Sequence, residues 1–156
     1  MVLSIFVFIS FLTISLFYMQ HKVLSVVENT FLFLIVLIIN INAAWIINEE
    51  LNLINTPATP IPYTAFILDR SLIFPMLFVI QFNLLYRYSA IKRWFGITLL
   101  FLAGFVCLRF LAVQLGVYTY EQWNFLYDAG YTLILQFILF YVFNMYRKIT
   151  LRKVML

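Results

Sequence analysis

The sequence predicts an all-α, polytopic integral membrane protein, a five-transmembrane-helix bundle with its N-terminus outside and its C-terminus cytoplasmic. Three observations predict it. The 156 residues are 65% hydrophobic and 20% aromatic with only 10% charged, whereas a soluble domain carries roughly a quarter charged residues. Apolar runs of about 18 residues or more recur along the chain, so lipid is the expected solvent. The basic residues stand in short clusters at alternate junctions between those runs, which is a topology signal.

Residues 1–156 read as a single transmembrane domain. The first span covers about 2–19 and closes at Gln20-His21-Lys22. No positive n-region or small-residue cleavage site accompanies it, so it reads as a retained span. The second, about 26–47, opens at Ser25-Val26-Val27-Glu28, the pattern of a capping box. Asn48, Glu49 and Glu50 mark its exit into water, and a proline-rich stretch leads to Thr59-Pro60, read as N-cap and N1 of the third span, about 60–86. The fourth covers about 94–117. Thr119 and Gln122 match a second capping box before the fifth, about 120–146, and Arg147, Lys148, Arg152 and Lys153 follow as a basic tail. Each span is long enough to cross about 30 Å of hydrocarbon.

In this frame Lys22, Arg87, Lys92, Arg93 and the four tail residues, eight of the ten lysines and arginines, fall on one side, while Glu49, Glu50 and Glu121 fall on the other. The positive-inside rule puts the basic side in the cytoplasm. The expected membrane is the plasma membrane of a bacterial-type cell.

Four charged residues remain inside the spans: Asp69 and Arg70 on the third, Arg109 on the fourth and Asp128 on the fifth. Counted at 1.5 Å per residue from the outer ends of their spans, all four lie about 6–12 Å deep. A charge facing lipid near the centre costs at least about 2.5 kcal/mol, so they are expected to face inward and pair. Adjacent helical residues diverge by about 100° and cannot satisfy each other. The expected pairs are therefore Asp69 with Arg109 and Arg70 with Asp128. Thr132 and Gln136 continue the face of Asp128 at four-residue spacing. Pro75 is expected to free the carbonyl of Ser71 and break the third span beside the charges. Gln81, Asn40 and Asn144 are the candidates for extending a polar path inward.

No metal site is expected, because His21 is the single histidine and Cys107 the single cysteine. No cofactor fingerprint or phosphate loop occurs, and no residue is assigned a catalytic role. Asp69 and Asp128 could in principle form an acid dyad, but two arginines at hand disfavour the shared proton that such a dyad needs. Gly96, Ala103, Gly104 and Ala112 give the fourth span a small-residue side for close helix packing. The net charge of +4 is topological, and no nucleic-acid partner is expected. The expected partners are membrane lipids and another membrane protein, or a second copy in a homo-oligomer.

Three functions compete. A non-catalytic protein acting by binding, as an accessory, assembly or sensory subunit, predicts a dead-end polar cluster. A small oligomeric transporter or channel for ions, protons or solutes predicts a polar path continuing through Gln81 and Asn144. An intramembrane enzyme acting on a lipid would need acid–base groups that the paired carboxylates do not obviously supply.

Overall fold

A computed structural model describes residues 1–88 and 91–154, with side chains for 1–88 and 92–150. It contains five helices long and apolar enough to cross a membrane. The first is α1, Val2–Met19, and the second is α2, Val26–Trp45, which widens into a π-turn at Ile46–Glu50. The third is made of α3, Pro60–Leu68, a π-turn at Asp69–Ile73, and α4, Phe74–Arg87. The last two are α5, Ile91–Gln114, and α6, Phe125–Val154. Two short strands, β1 at Ile54–Asn55 and β2 at Thr119–Tyr120, pair antiparallel.

The helix starts follow local chemistry. Ser25 Oγ accepts the Glu28 N–H at 3.2 Å and a Glu28 carboxylate oxygen accepts the Ser25 N–H at 2.8 Å, which completes the expected capping box. Thr59 is the N-cap before Pro60, although its side chain makes no capping bond. The second expected box does not form. Thr119 lies in β2, and Asn124 caps α6 instead, its Oδ1 accepting the Tyr127 N–H at 3.0 Å. The fifth long helix therefore begins at Phe125, five residues later than predicted.

The fourth long helix also ends early, at Gln114, and Gly116 is the reason. At φ 71° it adopts the left-handed conformation, its N–H donates to the Val113 carbonyl, and the Val117 N–H reaches back to Ala112 at 2.9 Å. This is the Schellman closure, in which glycine avoids the Cβ penalty. It turns the chain back over the bundle and delivers Tyr118 to the interior.

The third span is the axis of the bundle. Its most apolar window is 61% buried, against 11–22% for the other four. The span packs against α1, α2 and α5, and α6 closes the bundle against α5 and α2. Two apolar clusters stack along it. Phe6, Ile54, Phe66, Ile73, Val117 and Tyr118 belong to the one at the strand end. Phe74, Phe78, Phe82, Phe105, Leu139 and Phe143 belong to the other. In lipid such cores are held by close packing more than by exclusion of water, and the ring pairs Phe74–Phe105 and Phe78–Phe105, with centroids 4.9 and 4.8 Å apart, supply it. The expected glycine packing is absent: a Cβ added at Gly96 or Gly104 would meet nothing within 4 Å. Of the four small residues, Ala112 is fully buried in the strand-end cluster.

The opposite end of the bundle is fastened by asparagine. Asn83 Oδ1 accepts the N–H groups of both Val23 and Leu24 at 3.2 Å, and its Nδ2 donates to Asn29 Oδ1 at 2.6 Å. Asn29 Nδ2 in turn donates to the carbonyls of Leu24 and Ser25, each at 3.0 Å. The turn between α1 and α2 is thereby pinned to α4. Nearby, Glu28 forms a salt bridge with Arg147 at 2.6 Å, and Trp94 Nε1 donates to the Leu85 carbonyl at 2.7 Å. These contacts gather Lys22, Arg87, Arg93 and Arg147 at one end, whereas the β1–β2 pairing gathers Glu49, Glu50 and Glu121 at the other.

Candidate functional site

The polar centre is built from the π-turn of the third span. There the Phe74 N–H bonds the Asp69 carbonyl, five residues back. In that register the next donor would come from residue 75 and serve the Arg70 carbonyl, but proline has no N–H. Asn40 Nδ2 takes this carbonyl instead, at 2.8 Å. The break expected at Pro75 is present as a wide turn, and the carbonyl put to use is that of Arg70, not Ser71. A five-residue register shifts the orphan by one position.

Asp69 is 3% exposed and forms the expected ion pair, with Arg109 Nη1 at 3.2 Å. The same Asp69 oxygen also accepts the Tyr118 hydroxyl at 2.7 Å. The Arg109 guanidinium lies over the Tyr118 ring at 4.6 Å and the Phe74 ring at 5.6 Å. Such faces favour a cation, most strongly when it is removed from water.

The second expected pair, Arg70 with Asp128, does not form. Arg70 lies over the Phe66 ring at 4.8 Å, and its buried Nε has no hydrogen-bond partner among the described residues. Asp128 accepts instead from the Tyr120 hydroxyl and from Trp123 Nε1, the latter at 3.0 Å. It also sits in the first turn of α6, where the helix dipole favours a negative charge. Depth arithmetic could not reveal these loop donors.

Tyr118 directly precedes β2 and Tyr120 lies in it, and each donates to one of the two acids, Tyr118 to Asp69 and Tyr120 to Asp128. Burial pushes both phenols above the usual tyrosine range. Arg109 opposes the shift at Tyr118, and the hydrogen bond to Asp128 reinforces it at Tyr120. The strand is held from the other side by β1, with Ile54 opposite Tyr120 and Asn55 opposite Thr119. Asn55 Nδ2 donates to Glu121 at 3.0 Å, and the Glu121 N–H donates to the Leu53 carbonyl at 3.1 Å. The two connecting loops thus form a clip bolted to the bundle by Tyr118 and Tyr120.

Beside the clip lies a cavity of about 30 Å³, lined by Asn40, Arg70, Arg109, Trp123, Asp128 and Tyr131 among others. That is room for about two waters. Tyr131 donates to Asn40 Oδ1 at 3.1 Å. The remaining predicted residues do not join it. Thr132 donates to the Asp128 carbonyl within its own helix at 2.8 Å, and Gln136 pairs with Thr98 at 3.3 Å. Gln81 is fully buried with neither amide atom bonded among the described residues, and Asn144 accepts the Tyr86 hydroxyl at 2.8 Å. Between the cavity and Asn144 the bundle centre is filled by Phe74, Phe78, Phe105, Leu135, Leu139 and Phe143.

Sequence reasoning missed Tyr118, Tyr120, Trp123 and Tyr131 as site residues. The Tyr-Thr-Tyr alternation was the available signal for the first two. Among the described residues, no three of His, Cys, Asp and Glu gather closely enough to hold a metal ion. Comparison of the chain with protein-family models, with curated proteins and with solved structures finds no match.

Proposed function

We propose that this chain is a five-span plasma-membrane protein that acts by binding, as an accessory, assembly or sensory subunit, and not by catalysis. The observation that carries this reading is the dead end of the polar cavity. Arg70, Arg109 and Asp128 face a space beside the clip, and a block of phenylalanine and leucine side chains lies between that space and the opposite end. A transporter or channel requires polar contacts to continue across the hydrocarbon. Here the inner candidates, Gln81 and Asn144, are separate from the cavity lining.

The orientation that fits puts the clip outside and the end bearing Lys22, Arg87, Arg93 and Arg147 in the cytoplasm, by the positive-inside rule. The N-terminus is then outside and the C-terminus inside. Single cysteines in a Cys107→Ala background, placed at Thr56 and at Lys148, test it in intact cells. A membrane-impermeant maleimide is expected to label the first and spare the second, and the reverse result inverts the topology.

The functional reading is tested by purifying the tagged full chain in mild detergent and measuring its native mass. A stoichiometric second membrane protein is expected. A homo-oligomer of this chain alone would overturn the accessory role in favour of transport, to be followed by flux measurements in liposomes with Asp128→Asn.

A further inference from the structure

We infer that the cavity beside the clip is a receptor for one carboxylate group, held by Arg70 with Arg109 beside it. The inference rests on the reading of this cavity as a binding site and names the chemistry of its ligand.

A guanidinium offers five N–H donors and no acceptor. Arg109 gives Nη1 to Asp69, the one hydrogen bond it makes among the described residues. The Arg70 side chain makes none among the described residues and lies over the Phe66 ring. Each acceptor group around them already takes at least one donor, although Asp69 receives both of its donors on Oδ2. Asp69 accepts from Arg109 and Tyr118, Asp128 from Tyr120 and Trp123, and Asn40 Oδ1 from Tyr131. The lining therefore carries surplus donors.

Charge runs the same way. Asp69 is matched by Arg109. Asp128 is matched by two neutral donors and the start of α6. Arg70 has no carboxylate within ion-pair distance among the described residues. The cavity is small, with space for about two waters, which matches the two oxygens of a carboxylate. A planar carboxylate also suits the guanidinium fork. It could come from a small free acid or from an acidic side chain of the partner, and the two sources share this chemistry.

The test titrates the full chain in mild detergent with sodium formate, against sodium chloride at equal ionic strength. The readouts are tryptophan fluorescence, because Trp123 lines the cavity, and the melting temperature. Formate is expected to give a saturating change that chloride does not, with affinity roughly tenfold or more weaker in Arg70→Gln. Arg70→Lys, which keeps the charge without the fork, is expected to fall between, and carries the comparison if the glutamine variant does not fold. Coincident formate and chloride curves, or a variant that titrates like the wild type, would overturn the inference. A second protein that leaves when formate is added assigns the carboxylate to the partner. Saturable formate binding without any second protein assigns it to a free acid; in that case the accessory reading fails and the carboxylate site stands.

Discussion

Asp69→Asn neutralises one membrane acid while leaving its size and shape almost unchanged. The amide oxygen can still accept the Tyr118 hydroxyl, so that bond, at 2.7 Å in the wild type, need not be lost. What is lost is the counter-charge of Arg109, 3.2 Å away and 15% exposed. Breaking a buried pair from one side costs about 3–5 kcal/mol in soluble proteins. Interhelical polar terms in bilayers are smaller, about 0.6 kcal/mol on average. The Tyr118 and Phe74 rings also continue to hold the cation. A loss of about 2 kcal/mol is therefore expected, and Arg109→Gln should cost about the same. Asp69→Asn with Arg109→Gln leaves two amides facing each other and no stranded charge, so the double variant should lose only about 1 kcal/mol. Unfolding in mixed detergent micelles, followed by circular dichroism, measures the cycle. Losses that add to within about 0.5 kcal/mol would refute the pairing argument. Charge reversal, Asp69→Arg with Arg109→Asp, should recover less than the neutral double variant, because Tyr118 then faces a group with no acceptor.

Three further outcomes follow from the polar contacts. Asn83→Ala removes the acceptor for the Val23 and Leu24 amides, so amide exchange across residues 20–25 should rise by one to two orders of magnitude while exchange in α5 stays unchanged; unaltered protection in the turn would contradict the assignment. Asn40→Leu should cost about 1–2 kcal/mol in the wild type and clearly less in Pro75→Ala, where a backbone N–H becomes available near the Arg70 carbonyl, and equal costs in both backgrounds would refute the account of the π-turn. Tyr118 and Tyr120 keep their protons above the ordinary tyrosine value in the folded state, so the unfolded chain releases protons first and stability falls as pH rises past about 10. An absorbance titration should show these two phenols ionising after the exposed tyrosines, or only on unfolding. Tyr118→Phe removes one of them, and co-titration of all tyrosines near pH 10 would count against the buried clip.

How much of this was legible depended on range in sequence. The Ser25–Glu28 box is local, and it formed as read. The Asp69–Arg109 pair needed only two helices of known depth, and one-dimensional arithmetic sufficed. Arg70 and Asp128 fail on the same arithmetic because the partners of Asp128 arrive from the connecting segment. That segment is placed by the glycine turn at Gly116 and by backbone pairing of residues 66 positions apart, as in Ile54 with Tyr120. The Thr119–Gln122 match misled for a related reason: β1 offered Thr119 a strand partner, and Asn124 offered α6 a better cap. Asn29 and Asn83 were silent in the sequence, since an asparagine in an apolar helix carries no record of the turn whose amides it will bind.

The two polar clusters also differ in a way that bears on which one serves function. At the basic end the side-chain groups of Asn83 and Asn29 all find partners, with each other or with the backbone. Glu28 meets both its cap and Arg147. Side chains that satisfy one another in this way fix helix order, while Gln20 at the same end has neither buried amide atom bonded among the described residues. Beside the clip the balance is unequal: Asp69 and Asp128 each take two donors, while Arg70 Nε, next to a cavity, has no partner among the described residues. Keeping a cation in that state inside a bundle costs stability, and a purely structural cluster could have avoided the cost by letting Arg70 and Asp128 pair directly. Tyr120 of β2 and Trp123 occupy Asp128, the acid that Arg70 would otherwise meet. The clip therefore does more than cover the bundle, because its attachment is what leaves the guanidinium available.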